Sequence, residues 1–282
     1  MGKLGVGLRK AARSVLGSTP VKGVLYMPAV KRTLDHAPIF RQLYRVWDRG
    51  HPFDAEYGIE TIGFRAASEI TSDSKLIPQI VCYAGSQPSI VRTGFKALGP
   101  VEDRTLIDFG CGKGRAAIVA TEFPFREVLG VELSAELAAT ARANAAVIGR
   151  RFPERPRVTI ANANVLEFPL PAGKLAVFAY HPFGAEVLAG VVKNLEAALA
   201  GETTHLFFVY DNPVHGDVLD ASPAFVRYYS DNVPYDKSEL GYGVFQSDAV
   251  VIWQSVRGAV PTPYTNVNRK VIVVDGKAEL ES

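Results

Sequence analysis

A glycine-rich stretch of seven residues lies between an apolar run and a helical pattern: Asp108-Phe109-Gly110-Cys111-Gly112-Lys113-Gly114. Glycine lets a backbone turn tightly and approach a ligand, and the start of the following helix offers free N–H groups. At the end of the next apolar run, 18 residues after Gly114, stands Glu132. Its carboxylate can accept hydrogen bonds from both hydroxyls of a ribose. The two features predict a site for a nucleoside-containing ligand; the alternative is a glycine-rich turn that binds nothing.

The spacing of the glycines excludes two common nucleotide motifs. A dinucleotide fingerprint, G-x-G-x-x-G, that begins at Gly110 requires glycine at position 115, where the chain has Arg115. A P-loop requires Ser or Thr after Gly-Lys and a glycine five positions before Gly112, but the chain has Gly114 and Ile107 there. The pattern that remains is D-x-G-x-G-x-G.

This pattern, with an acid after the next strand, resembles motif I of the class I, seven-β-strand S-adenosylmethionine (SAM) methyltransferases. The resemblance implies that the glycine loop passes beside the methionine part of SAM and that Glu132 holds the ribose. Asn164 stands where the family usually has an acid near adenine; its amide can donate or accept there, or it is a plain loop residue. The cofactor-binding residues implied are Asp108, Gly110, Cys111, Gly112, Gly114, Glu132, Leu133, Asn164 and Val165.

The end of the fourth predicted strand carries Tyr180-His181-Pro182-Phe183. Amine-directed members of the family have Asn or Asp there, then Pro, often a second Pro, and an aromatic residue. The resemblance implies catalytic or acceptor-contacting roles for Tyr180, His181 and Phe183. Histidine titrates near neutrality and can remove a proton from an attacking amine or hydroxyl; the alternative is a hydrogen-bonded structural residue. Histidine in place of Asn leaves N- and O-acceptors both open.

Further segments extend the resemblance over residues 50–220, to a bacterial branch distantly related to the non-SET histone-lysine methyltransferases. These segments are 53–61, 83–89, 122–125, 130–134 and 212–215. By analogy, Tyr57 and the 83–89 segment with Tyr83 form a lid over the cofactor, or are ordinarily packed. Asn212, at the tip of the fifth predicted strand, lies beside the acceptor or simply ends the strand.

The function implied is methyl transfer from SAM to a nucleophile, with an amine expected: a protein lysine first and a small metabolite second. An in-line displacement at an activated sulfonium needs chiefly orientation and a desolvated acceptor, so no metal is expected. The alternative is a methyltransferase-fold protein that binds SAM or S-adenosylhomocysteine (SAH) without turnover and serves as a scaffold or nucleic-acid binder.

The elements that must position these residues alternate as βαβ units from Arg104 onward. An antiparallel pair and a hairpin around Asp275-Gly276 close the chain. With the resemblance, this predicts an α/β, Rossmann-like fold: a mainly parallel seven-stranded sheet, helices on both faces, an N-terminal helical cap and a C-terminal hairpin. The strands are predicted at 104–109, 127–132, 157–161, 175–180, 205–211, 225–230 and 244–256, and the helices at 114–122, from Ser134, and at 185–200.

Charge divides the chain near residue 50. The formal net charge of the 282 residues is +2, but residues 1–50 carry +8 and the remainder −6. Residues 3–16 fit a basic amphipathic helix, so that residues 1–34 contact a polyanion or a membrane surface. The alternatives are that they pack on the body or are disordered, and an acid-free start also resembles a transit peptide. An acidic body suits a cationic acceptor such as lysine. We expect a basic arm at 1–50, a cap or lid at 51–100, a methyltransferase domain at 101–260 and a hairpin extension at 261–282.

Cysteine content and apolar patterning predict the compartment. Cys82 and Cys111 are not in a metal-ligand spacing and are expected as free thiols in a reducing environment. No apolar run reaches the roughly 20 residues that a membrane span needs, and the N-terminus lacks the apolar core of a secretory signal. We expect a soluble, cytoplasmic protein.

Overall fold

A computed structural model describes residues 50–243 and 245–281. The expected basic arm therefore lies outside the described residues except for residue 50. The helices are α1 (Pro52–Tyr57), α2 (Ala67–Ile70), α3 (Pro88–Ala97), α4 (Arg115–Ala120), α5 (Ala135–Arg151), α6 (Ala185–Ala200) and α7 (Gly216–Asp220), with 3₁₀ turns at Ile77–Gln79 and Lys237–Glu239. Among the described residues, no helix is long and apolar enough to cross a membrane.

The strands are β1 (Phe64–Arg65), β2 (Tyr83–Ala84), β3 (Arg104–Phe109), β4 (Glu127–Glu132), β5 (Val158–Asn162), β6 (Gly173–Tyr180), β7 (Thr203–Asp211), β8 (Phe225–Pro234), β9 (Ser247–Ser255), β10 (Val271–Val274) and β11 (Lys277–Leu280). Seven of them form one sheet in the order β5-β4-β3-β6-β7-β9-β8. Only β9 runs antiparallel to its neighbours within this sheet. The mainly parallel, seven-stranded, Rossmann-like fold expected from the sequence is confirmed.

Strand order explains where a ligand can enter. The chain begins in the middle of the sheet at β3, adds β4 and β5 on one side, and then returns to place β6 on the other side of β3. A sheet whose strand order reverses in this way opens a crevice at the carboxyl ends of the strands. The loops after β3, β4, β5 and β6 therefore meet at one edge.

Helices cover both faces of the sheet. On one face α3 and α4 pack against β3, β6 and β7, and on the other α6 and α7 pack against the same strands. Strands buried on both faces need apolar side chains at nearly every position, which accounts for the continuous apolar runs in the sequence. All six residues of β3 are buried.

The segment expected at 51–100 as a helical cap departs from that expectation because its first part, residues 51–86, contains a short antiparallel pair. This first part is called the cap below. In this pair Phe64 lies opposite Ala84 and Arg65 opposite Tyr83. Strands of two residues leave no alternating pattern in a sequence, and tertiary contacts rather than propensity hold them. The cap is therefore positioned by what it touches on the sheet domain.

The C-terminal hairpin turns at Asp275 and Gly276, whose φ angles are both positive, as the tightest hairpin turns require. Two asparagine side chains fasten it to the sheet. Asn212 accepts from the Ala278 amide at 2.7 Å and donates to the Gly276 carbonyl, and Asn232 exchanges two 2.9 Å hydrogen bonds with the backbone of Leu280. Each side-chain amide thus pairs with the hairpin as a backbone amide would.

We expect Asn232→Ala to lower the free energy of unfolding by about 1 kcal/mol, since it removes both hydrogen bonds to Leu280. Urea unfolding followed by tryptophan fluorescence measures the change. The exposed Lys237→Ala change is the control and should stay within about 0.5 kcal/mol of the parent. Equal stability of the two variants would mean that Asn232 does not hold the hairpin.

Candidate functional site

A cleft of about 1010 Å³, taken out to its open mouth, lies at the carboxyl ends of β3, β4, β5 and β6. Cap residues 80–86 form the opposite wall. The site residues expected from the sequence that line it are Asp108, Gly110, Cys111, Glu132, Leu133, Asn164, Val165, Tyr180, Phe183 and Tyr83. Gly112 and Gly114 belong to the loop behind this wall, whereas Tyr57, His181 and Asn212 are placed elsewhere.

Backbone geometry accounts for the glycines of the loop. Gly110, Gly112 and Gly114 have φ angles of 72°, 55° and 86°, a region that glycine occupies without strain. Space is also limiting: a Cβ on Gly112 would collide with the ring of Tyr83, and one on Gly110 would lie 2.6 Å from the Cβ of Pro182. The loop is therefore packed between the cap and the segment after β6.

The amide groups of the glycine loop are largely engaged within the protein. The amides of Gly110 and Cys111 donate to the Val131 carbonyl at 2.9 and 3.1 Å, and the Gly114 amide donates to the Cys111 carbonyl at 2.7 Å. The Gly112 amide donates to Glu132 at 2.8 Å. A phosphate-binding loop points its free amides at the ligand. This loop instead favours a ligand without phosphate at that point.

Glu132 ends β4 and is 5% exposed at the cleft wall. One oxygen accepts from the Gly112 amide and the other from the Ser134 amide, both at 2.8 Å. Burial raises the pKa of this carboxyl, while these backbone donors oppose the shift. A carboxylate has about four acceptor positions, so two remain for donors such as ribose hydroxyls.

Asn164 follows β5 and begins a turn in which its Oδ1 accepts from the Leu166 amide at 3.0 Å. Asn164 also lines the cleft, and among the described residues its Nδ2 group has no hydrogen-bond acceptor, so that group remains for a ligand. Leu133 and Val165 provide apolar surface beside it. The arrangement suits a flat heteroaromatic ring with an acceptor nitrogen at its edge, such as the N1 of adenine.

Asp108 lies under the loop with 2% of its surface exposed, and its Oδ2 accepts from the Ala117 amide in the first turn of α4 at 3.1 Å. Burial raises the pKa of Asp108 to about 7, with a smaller contribution from the neighbouring Glu132 charge. The carboxyl therefore joins the end of β3 to the start of α4 and orients the loop between them.

Arg115, the first residue of α4, fastens the cap over the loop. Its buried guanidinium donates to Oγ1 and the carbonyl of Thr61 at 2.6 and 2.9 Å, and to the carbonyls of Gly85 and Ser86 at 3.2 and 3.3 Å. Asp54, 4.0 Å away, supplies the opposite charge and also holds Thr61. One sign of this role was visible in the sequence: a long cation, Arg115, at the position where the dinucleotide motif would have glycine.

A second set of contacts reinforces this closure. Lys113 of the loop binds the Glu60 carboxylate and donates to the Ile62 carbonyl at 2.8 Å. Asn144 of α5 donates to the carbonyls of Glu60 and Lys113 at 2.8 and 2.9 Å. The hydroxyl of Tyr83 donates to the Thr61 carbonyl at 2.8 Å. Cap and glycine loop are thus held together on both sides of the cleft wall.

His181 does not line the cleft, contrary to the expectation that it contacts the acceptor. His181 follows the end of β6 with a φ of 36°, so its side chain leaves the direction that the strand sets for Tyr180. Tyr180 lines the cleft, while the Nδ1 of His181 lies 3.2 Å from the Tyr210 hydroxyl and its ring lies 5.4 Å from that of His215. His181 is thus not among the residues that line the cleft, and its role as a base stays a prediction.

Two other expected site residues have structural contacts instead. Tyr57 packs against Phe53 and Phe152, and its hydroxyl donates to Glu122 at 2.9 Å, so it does not cover the cleft. Asn212 directly follows β7, and its side-chain amide holds the C-terminal hairpin. Spacing along the chain placed both near the site without showing which way each side chain points.

No protein-family model matches the chain, and no curated protein matches it. Solved structures with a similar arrangement include a ribosomal protein L11 methylase from Lactobacillus delbrueckii subsp. bulgaricus (17% identity, 58% of this chain and 76% of that chain covered, TM-score 0.39). Others are the 23S rRNA methyltransferase ErmE (19%, 64% and 72%, 0.43) and M. capricolum TrmK with SAH (10%, 59% and 68%, 0.41). At these identities and TM-scores, neither the family nor the substrates of those proteins carry over to this chain.

We expect Gly112→Ala to lower the free energy of unfolding by at least about 2 kcal/mol, from positive φ and from the collision with Tyr83. Thermal and urea unfolding measure the loss. In a Tyr83→Ala background, the same Gly112→Ala change should cost less stability than it does in the parent, because the ring that the new Cβ would meet is gone. Strictly additive effects would contradict the packing of Tyr83 on Gly112.

We expect Asp108→Asn to gain stability relative to the parent as pH rises from about 4 towards about 7. The folded parent keeps its proton to higher pH than the unfolded chain, so ionisation favours unfolding over this range; Asn, which cannot ionise, can still accept from Ala117. Urea unfolding at a series of pH values gives the difference. A pH-independent difference between the two proteins would show that Asp108 ionises normally when folded.

Proposed function

We propose that this protein binds S-adenosylmethionine in the cleft and transfers its methyl group to a nucleophile. One observation carries the proposal: a nucleoside-type site built from Glu132 and the 163–166 turn adjoins a glycine loop whose amides are occupied internally. Such a site accepts ribose and adenine but offers no phosphate cradle, which fits a nucleoside joined to an amino acid better than a nucleotide.

In this proposal each wall of the cleft contacts one part of the cofactor. Glu132 accepts from the ribose hydroxyls, Asn164 donates to the adenine edge, and Leu133 and Val165 pack on its faces. The glycine loop lies beside the methionine portion. The cofactor supplies a sulfonium-activated methyl group, so the chain need only position the acceptor and exclude water.

The acceptor side of the cleft is assigned to the end of β6. Tyr180 and Phe183 line the cleft there, and the backbone around Phe183 is fixed to the cap by the Ile80–Phe183 bridge and by the Val81 amide, which donates to the Pro182 carbonyl at 3.1 Å. Aromatic side chains at this point exclude water from the methyl group. Tyr180 contributes a hydroxyl as well as a ring.

We expect Glu132→Ala to weaken SAH binding by about 100-fold, because two charge-assisted hydrogen bonds to ribose are lost. Isothermal titration calorimetry measures the dissociation constants. Glu127→Ala, at the other end of β4, is the matched control and should bind as the parent does. Failure of the parent to bind SAH or SAM would refute the proposal.

Turnover is tested separately, with methyl-labelled SAM and a cell extract fractionated into protein, RNA and small molecules. The proposal expects label in one fraction and a matching yield of SAH, both lost in Glu132→Ala. Tight SAM binding with no transfer to any fraction would instead favour the alternative, a binding protein without turnover.

A further inference from the structure

Two buried carboxyl groups lie at the carboxyl edge of the sheet, beside the cleft. Asp211 is the last residue of β7 and has no exposed surface; Asp248 is the second residue of β9 and is 2% exposed. Asp211 pairs with Val250, so Asp248, two residues away on the same strand, projects from the same face. We refer to Asp211 and Asp248 as the acid pair.

The acid pair lacks the partners that buried carboxyls normally have. Within the described part of the chain, neither oxygen of Asp211 has a donor at full hydrogen-bond geometry, although the amide of the adjacent Asn212 lies close enough to lower its pKa. Only one oxygen of Asp248 has a partner, accepting from the Tyr235 hydroxyl at 2.5 Å. Buried polar groups in folded proteins are almost always paired, and an unpaired one calls for an explanation. Three carboxyl oxygens here are left over.

Tyr180 connects the acid pair to the cleft. It is the direct neighbour of Asp211 across the parallel β6–β7 pairing, so the two side chains lie on the same face of the sheet. Tyr180 also lines the cleft. Its hydroxyl makes no hydrogen bond to the described residues and is therefore available to a ligand entering from the cofactor side.

The charge of this region favours a cation. Burial raises the pKa of both acids, and the Asp248 charge raises that of Asp211 further, so the pair keeps one shared proton and carries a single negative charge near neutral pH. The nearest cation on the C-terminal hairpin, Lys277, lowers the pKa of both acids, but its Nζ lies over the Phe245 ring at 4.3 Å and within 4.0 Å of Glu279. Neighbouring aromatic rings, from Tyr180 and Tyr235, suit an alkylammonium group, which binds to ring faces and carboxylates together.

We propose that the acid pair with Tyr180 forms the acceptor subsite, and that the acceptor is a basic alkyl amine bound as its ammonium ion. This inference rests on the proposed function and specifies its acceptor. A lysine side chain or a polyamine has this chemistry. The exocyclic amines of nucleobases are uncharged and do not.

Methyl transfer at this subsite requires the bound ammonium ion to lose a proton first, and the acid pair can accept it. The ammonium ion gives one proton to the ionised carboxylate of the acid pair and becomes a neutral amine. The nitrogen lone pair then forms a bond to the methyl carbon, and the carbon–sulfur bond breaks with its electron pair remaining on sulfur. The products are a methylated ammonium ion and SAH, and the carboxyl proton passes to water when the product leaves.

Sinefungin tests the charge of the subsite without knowledge of the acceptor, because it carries an ammonium group where SAM has its methylsulfonium. We expect the parent to bind sinefungin more tightly than SAH, and Asp211→Asn/Asp248→Asn to reduce this preference by about tenfold or more. Calorimetry with both ligands gives the ratio. The double variant is needed because either acid alone can hold the shared charge.

The matched control is Asp217→Asn/Asp231→Asn, which removes two exposed carboxylates and should leave the ratio unchanged. The acid-pair variant replaces buried carboxyls by amides of similar shape, so folding is retained, as thermal unfolding will check. If the acid-pair variant bound SAH as the parent does and kept the parent's preference for sinefungin, the acceptor subsite would be refuted while the proposed function would stand. Failure of the parent to bind SAH would refute the proposed function itself.

A transfer assay tests the acceptor directly, with methyl-labelled SAM and poly-L-lysine, spermidine or total RNA as probes. We expect label in an amine probe, and loss of at least about nine-tenths of it in the acid-pair variant but not in the control. Transfer to RNA in place of the amines would overturn the inference while leaving the proposed methyl transfer intact.

Discussion

The burial of one guanidinium group determines how the two parts of this molecule meet. Arg115 begins the helix that follows the glycine loop, and its charge lies out of water. A buried cation is costly unless acceptors surround it, and Thr61, Gly85 and Ser86 of the cap provide them. The burial of Arg115 and the formation of the cap-side wall of the cleft therefore occur together, because the guanidinium and the cap acceptors are each other's hydrogen-bond partners.

The acid pair is the electrostatic opposite of Arg115. The arginine makes four hydrogen bonds and has Asp54 nearby, whereas neither oxygen of Asp211 has a donor at full hydrogen-bond geometry among the described residues. Both lie near Tyr180 and affect the pKa of its hydroxyl in opposite directions, beneath a larger upward shift from burial. The cleft thus has a hydrogen-bonded cation where cap and loop meet, and the acid pair lies buried behind Tyr180, which lines the cleft.

The sequence predicted the parallel sheet and the glycine loop because both are local patterns: continuous apolar strands, and glycines followed at a fixed distance by an acid. It did not predict which face a side chain takes at a strand end. His181 and Asn212 were candidates by position, yet each turns away from the cleft or binds the hairpin. Asp211 stood beside Asn212 in the same segment, but its burial depends on β9, which arrives some 40 residues later.

The closed contacts of the cap have a thermodynamic consequence. Thr61 and Tyr83 are held by the glycine loop, by Arg115 and by each other within a single chain. The loss of backbone entropy in this segment therefore occurs when the chain folds, and a nucleoside entering the cleft would not have to order it again. Ligand binding at such a preformed wall would have a heat-capacity change set by the apolar surface that the ligand covers, with little added from folding of the protein.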